Sequence, residues 1–216
     1  MNEVILKIQN LSHSYDDNRL SLKKINLLVD KGERLSIQGP SGCGKSTLLR
    51  LIAGLEEPHE GQIFINEEEV SSPGFSVPPE KRQIGMVVQD KALFPHLSIY
   101  ENICFGIKKS TDKEQIALDL LNLFKIEELK NKFPHQISGG EKQRVALARS
   151  MAPNPNFIML DEAFSALDSD LKVSIYDEVL EIFQGKNITV ILVTHDTEEA
   201  KILSTRQLNM DNGELL

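Results

Sequence analysis

The 216-residue chain holds only two cysteines, Cys43 and Cys104. They form neither a disulfide framework nor a zinc pattern, so a reducing compartment is the economical inference. Long hydrophobic runs are missing too. A stretch such as Ile188 to Val193 falls far short of the roughly 20 apolar residues that span a bilayer. Met1 leads straight into the strand-like Val4-Ile5-Leu6, which leaves no cleavable leader in view. There is no basic block, and the formal net charge is −8. That weighs against a nucleic-acid partner held by phosphate contacts, and against direct anchoring to an acidic membrane surface. Internal repeats and low-complexity segments are also absent. What remains is a chain with 40% hydrophobic residues, enough for one compact domain with a sizeable core.

The chain is organised around Gly39-Pro40-Ser41-Gly42-Cys43-Gly44-Lys45-Ser46-Thr47. This stretch fits the phosphate-cradling pattern G-x-x-x-x-G-K-[ST]. Leu35-Ser36-Ile37-Gln38 before it reads as a strand. Leu48, Leu49, Leu51 and Ile52 after it have the spacing of a helix face, and Gly54 stands where a helix would stop. The glycines let backbone N–H groups turn inward, and the helix N-terminus adds positive potential, which together make an anion site. Lys45 supplies a point charge for phosphates, and Ser46 a hydroxyl for Mg²⁺. Cys43 is expected to gain thiolate character near the helix start. Alkylating it is expected to block nucleotide binding.

In chain order, residues 4–11 and 22–29 read as strands of an antiparallel layer. Tyr15 is placed in a polar loop, Ser12 to Arg19, as an aromatic able to stack on a nucleobase. Gln62 to Asn66 is a short strand, Ser71 to Pro79 a loop, and Ile84 to Val88 a buried strand. Residues 97–106 and 112–124 read as helices of an insert. Within it Ile116, Leu120, Leu121, Leu123 and Phe124 are core. Ser138 opens a helix to about Ala152, which Pro153 and Pro155 stop. Strands at 157–160, 188–193 and 206–210 and a helix at 170–183 complete the pattern. The result is one α/β domain over 1–216: a phosphate-loop NTPase core with a mostly parallel central sheet, an N-terminal antiparallel β layer and a helical subdomain. The core takes about 1–89 and 153–216, and the helical subdomain about 90–152.

Four apolar strands end in polar groups: the phosphate loop, Gln89, Asp161-Glu162, and His195. Open α/β sheets bind ligands outside the carboxyl ends of their strands, so all four should face one crevice. Asp161 is expected to orient the Mg²⁺ shell, with Ser46 and Gln89. Glu162 is expected to act as base or to orient the attacking water. His195 is expected to contact the γ-phosphate. The reaction these groups fit is phosphoryl transfer to water by positioning and charge stabilisation. Ser138-Gly139-Gly140-Glu141 is a capping box in its own right. The capping box does not require two glycines, which would let another molecule's phosphates approach the helix N-terminus.

These residues resemble the ATP-binding cassette ATPases over nearly the whole chain. The resemblance runs through the phosphate loop, a glutamine loop at Gln89, and the signature Ile137 to Arg144. It continues through Phe157 to Glu162, the loop Ser165-Ala166-Leu167-Asp168, the switch His195 and the adenine-stacking position Tyr15. It implies ATP and Mg²⁺ as ligands and a head-to-tail homodimer with two ATPs sandwiched between subunits. Each ATP would sit on Lys45 of one subunit and on Ser138, Gly139 and Gly140 of the other, with Asp168 communicating across. The helical insert would receive a coupling helix from transmembrane permease subunits, with a substrate-binding protein acting indirectly. The chain would then be cytoplasmic, peripheral on the inner face of the membrane. Two departures stand out: Glu141 where the signature usually has Gln, and Ala163 where Pro usually follows the catalytic Glu, leaving that turn less constrained.

Val77 to Arg82 and Ala92 to Ile103 look like bacterial importers for iron(III), polyamines, sulfate, molybdate or thiamine, with iron(III) preferred. Many of these carry a C-terminal regulatory domain. A chain ending at Leu216 is therefore expected to be a minimal member or a truncated one. A soluble cassette ATPase is the alternative, but Lys45 to Ser138 holds no heptads and no cysteine pairs. A nucleotide-gated regulatory module with little turnover is the other alternative, kept open by Glu141 and Ala163.

Overall fold

The computed structural model describes residues 3–16, 19–88, 93–107, 112–165, 167 and 169–216. Two sheets carry the fold. The first is antiparallel, in the order β2-β1-β4-β5-β6. Its strands are β1 (Val4–Asp16), β2 (Arg19–Asp30), β4 (Glu60–Ile65), β5 (Glu68–Ser72) and β6 (Phe75–Ser76). The second has the order β11-β10-β3-β9-β8-β7. It contains β3 (Arg34–Gln38), β7 (Ile84–Val88), β8 (Phe157–Asp161), β9 (Val190–Val193), β10 (Arg206–Asp211) and β11 (Glu214–Leu215). Its neighbours from β10 to β7 are parallel, and β11 is antiparallel.

The continuous apolar runs follow from burial on both faces of this second sheet. Phe157, Met159, Ile191 and Val193 pack with the first sheet and with α1 (Lys45–Ala53). The alternate residues Ile158, Leu160, Val190 and Leu192 pack with the helical residues of the other core. That second core draws on α2 (Ile99–Cys104), α3 (Lys113–Leu123), α4 (Gly139–Met151) and α5 (Ser169–Gly185). A short α6 (Thr197–Leu203) precedes β10. Among the described residues no helix is long and apolar enough to cross a membrane.

Two local expectations are corrected. Tyr15 lies in β1, not in a loop, because antiparallel pairing with β2 continues past His13↔Leu22 and Ser14↔Leu20. The polar Ser12 is buried there, and its hydroxyl accepts the Lys24 N–H at 3.2 Å. The antiparallel layer opens with β1 and β2 at the N-terminus, as expected, and three further strands that follow the phosphate loop extend it. Residues 71–79 are not a plain loop: β5 and β6 form a hairpin around Pro73-Gly74, with Gly74 at φ 76°.

Arg82, which composition gives no reason to single out, ties that hairpin to α1. Its buried guanidinium donates to the Leu51 and Ile52 carbonyls at 2.9 and 2.8 Å, and to Val77 O, Val70 O and Ser76 Oγ. A cation on the last carbonyls of a helix complements its dipole. Burial lowers the Arg82 pKa to about 10, which leaves it charged at neutral pH.

Candidate functional site

The carboxyl end of β3 runs into the phosphate loop. Gly39 and Gly44 are required there by close packing as well as by backbone shape. A Cβ on Gly39 would stand 2.1 Å from the Met210 carbonyl oxygen, and one on Gly44 would stand 2.8 Å from that of Ser21. Gly42, at φ 78°, has open space instead, on the side where a ligand would lie. Lys45 is buried, and its Nζ donates to the Gly39 and Pro40 carbonyls at 2.8 and 3.0 Å. Cys43 is buried too, with Sγ 3.7 Å from Lys45 Nζ. An alkyl group on that sulfur would therefore displace the lysine or open the loop.

The loop forms one wall of a cleft of about 940 Å³. Tyr15, Leu20, Lys23, residues 41–47, Glu162 and the Asn212-Gly213 turn line it. Tyr15 is 57% exposed, and its hydroxyl reaches Thr47 Oγ1 at 3.5 Å. Lys23, Asn212 and Gly213 were not legible as site residues in the sequence. They arrive because the β10–β11 turn docks on the loop: Gly213 N–H donates to Cys43 O at 2.9 Å, and its carbonyl accepts from Lys23 N–H at 2.8 Å.

The carboxyl end of β8 meets the loop. Ser46 Oγ donates to Asp161 Oδ1 at 3.2 Å, across 115 positions of sequence. Burial raises the Asp161 pKa, opposed by the Ser46 hydrogen bond and reinforced by the charge of Glu162. A desolvated carboxylate beside a hydroxyl is a set of hard oxygen donors that suits Mg²⁺. Among the described residues no group of three His, Cys, Asp or Glu gathers to hold a metal. Mg²⁺ commonly uses one or two carboxylates plus water and substrate phosphates, so this donor set fits it.

Glu162 holds an αL conformation at φ 47°, rare for a side chain of its size. Its N–H donates to Val193 O at 2.9 Å, and its carbonyl accepts from the N–H and Oγ of Ser165. The turn at the buried Ala163 is thus fixed by hydrogen bonds, which replace the constraint a proline would give. The Glu162 carboxylate stands 3.5 Å from Nδ1 of His195, which follows β9 by two residues.

Ser138, Gly139 and Gly140 do not line the cleft. Ser138 caps α4 in a full capping box with Glu141, whose carboxylate accepts the Ser138 N–H at 2.6 Å. That bond is the main cause of the lowered Glu141 pKa. Gly140 has a packing reason of its own, because a Cβ there would stand 2.9 Å from Leu171 Cδ2. Gln89 and Asp168 lie outside the described residues.

Behind His195 lies Glu199, buried on α6, with Tyr176 donating to its Oε2 at 3.2 Å. Desolvation raises its pKa from 4.5 to about 7. Between those values the folded protein holds a proton that the unfolded chain has released, so stability falls as pH rises from about 4.5 to 7. Glu199→Gln is expected to flatten that slope and to raise stability above pH 7, by at most about 3 kcal/mol. Urea unfolding of both proteins from pH 4.5 to 8 measures it. An unchanged slope would show that Glu199 does not carry the linkage.

A glycine loop bearing Lys-Ser between β3 and α1, with carboxylates at the end of β8 two strands away in the same sheet, defines a phosphate-loop nucleotide-binding protein. Within that class the ABC transporter family model matches residues 22–165, and the chain belongs to the ABC transporter family. It is 41% identical to an iron(III) import ATP-binding protein, FbpC 2, of Haemophilus influenzae, covering 100% of this chain and 62% of the relative. It is 42% identical to the putrescine transport ATP-binding protein PotG of Escherichia coli, covering 98% and 56%. The chain therefore spans roughly three fifths of the length of these curated relatives. Among solved structures, it resembles the dimeric post-hydrolysis ATP-binding cassette MJ0796 bound to ADP and Pi. That match has a TM-score of 0.80 and 32% identity, over 98% of this chain and 96% of that one. CbiO1 of Clostridium perfringens, part of the transporter complex CbiONQ, matches with a TM-score of 0.87 and 31% identity, over 99% and 87%.

Proposed function

We propose that the chain is the ATP-binding and ATP-hydrolysing part of a membrane importer, working as a head-to-tail homodimer with two ATPs at the interface. The observation that carries this reading is the meeting of Ser46 and Asp161 at 3.2 Å, in a cleft that Glu162 also lines. Loop N–H groups and Lys45 hold the phosphates, and Tyr15 stacks on the base. Ser46, Asp161 and Gln89 would hold Mg²⁺, which would supply neutralisation of phosphate charge. Glu162 takes the proton of the attacking water or orients it, and His195 contacts the γ-phosphate. Ser138, Gly139, Gly140 and Asp168 act across the dimer. Ser138, Gly139 and Gly140 start α4 outside the cleft lining of their own subunit, so on this reading a second subunit brings them to the nucleotide.

The helical segment of about 90–152 is the face for permease subunits, and the core of about 1–89 and 153–216 holds the nucleotide. On this reading the chain works at the cytoplasmic face of the membrane. Relatives named for iron(III) import reach 45% identity, and those named for polyamine import reach 42%. Both cargo classes are compatible, and iron(III) is the one we favour. The cleft itself recognises neither.

Steady-state ATP hydrolysis by the purified chain, with its oligomeric state read in the same samples, tests the reading. Mg²⁺-dependent turnover with ATP-dependent dimerisation is the expected result. ATP binding without turnover or dimerisation would overturn it in favour of a nucleotide-gated module.

A further inference from the structure

Tyr15 is the most exposed aromatic group at the cleft, yet a stacking wall works best when its ring is already in place. Two histidines lie behind it. His13 and Tyr15 are two residues apart on β1, and their rings meet edge to face, with centroids 4.8 Å apart and planes at 88°. The opposite contact of His13 is His59, stacked at 5.0 Å with an interplanar angle of 17°.

Both imidazoles are themselves pinned. His13 is buried, and its Nδ1 meets the Glu57 carbonyl at 2.9 Å. A carbonyl only accepts, so Nδ1 carries the proton. His59 Nδ1 accepts the Ser14 N–H at 3.0 Å, and the His59 N–H donates to Ser12 O at 3.0 Å. The second ring is thus locked to the same stretch of β1 by backbone bonds on both sides of His13. His13 Nε2 is buried with no hydrogen-bond partner among the described residues. Ring contacts, and not a complete set of hydrogen bonds, therefore hold this imidazole where it is.

We infer that His59 and His13 form a buttress that fixes the ring of Tyr15 for the nucleobase, making His13 a positioning residue for base affinity. Thr47 completes the arrangement at the hydroxyl end of Tyr15. This inference rests on the reading of Tyr15 as the base-stacking residue. Fixing a rotamer before binding removes its ordering cost from the binding step, and loss of the buttress should weaken ATP about three- to tenfold. His13 does not line the cleft, so binding of the phosphates alone should not feel the change.

The experiment measures ATP Kd by equilibrium binding, and inorganic triphosphate Kd by competition. The proteins are the wild-type chain, His13→Ala, His13→Phe, Tyr15→Ala and the double variant His13→Ala/Tyr15→Ala. His13→Ala is expected to weaken ATP and to leave triphosphate unchanged. His13→Phe, which keeps a ring at that position, should restore most of the ATP affinity. In the double variant the loss should equal that of Tyr15→Ala alone, because the two act as one unit. Additive losses, or equal weakening of ATP and triphosphate by His13→Ala, would overturn the buttress. So would a Tyr15→Ala loss with no loss for His13→Ala, and in that case stacking on Tyr15 itself would stand. If Tyr15→Ala changes nothing, the stacking role and the buttress fail together. Should His13→Ala not fold, the ATP Kd of His13→Phe against a His59→Leu variant decides. Near-wild-type affinity for the first and a loss for the second support the buttress, and any other pair of results rejects it.

Discussion

Glu162→Gln is expected to lower steady-state ATP hydrolysis about 10²- to 10³-fold while ATP binding persists. Gln has the same shape and keeps the backbone bonds that hold position 162, namely its N–H to Val193 O and its carbonyl to Ser165. What it loses is the ability to take a proton, and the charge facing His195 at 3.5 Å. The strained αL backbone at φ 47° persists because the neighbouring strand and turn over-determine it, as is common at functional sites. Without turnover the ATP-bound dimer should accumulate, and size exclusion in Mg-ATP should show it at roughly twice the monomer mass. A variant that keeps more than half of the wild-type rate would remove Glu162 from the chemistry.

Lys45→Ala should raise the Kd for Mg-ATP about ten- to 150-fold. A charge-assisted bond from a buried ammonium to phosphate is worth roughly 1.5–3 kcal/mol, and 1.4 kcal/mol corresponds to tenfold. This ammonium donates to the Gly39 and Pro40 carbonyls. The substitution therefore also leaves two acceptors without their donor and should cost about 1–3 kcal/mol of stability. Lys45→Arg should not rescue binding, because the planar guanidinium is larger than a point charge and the site is closed around Nζ. Equilibrium binding of a fluorescent ATP analogue, with urea midpoints as the fold control, measures both effects. An affinity within threefold of wild type would mean that the loop N–H groups alone hold the phosphates.

The Glu141 and Ala163 departures bear on these rates. The Glu141 carboxylate is held in the capping box, accepting the Ser138 N–H. That fixes the helix start but keeps a negative charge where a second subunit's γ-phosphate would approach. Ala163 sits in a turn already closed by Ser165. Of the two, Glu141 is therefore the one expected to slow turnover.

Some of this site is contiguous in the chain, and that part was legible without coordinates. The phosphate loop, the carboxylates after Phe157 to Leu160 and the serine cap at Ser138 each express local chemistry within a few residues. The apolar runs at 84–88, 157–160 and 188–193 indicate a parallel sheet buried on both faces, which is how β7, β8 and β9 are paired and packed. Tertiary structure decided everything that depends on long-range contact. It put Ser46 on Asp161, and Glu162 on His195. It brought the Gly213 turn onto Cys43, buried Arg82 under α1, and set His13 and His59 behind Tyr15. No periodicity encodes such pairs. They are fixed by sheet order and by strand register, which depend on how two cores pack on opposite faces of one sheet.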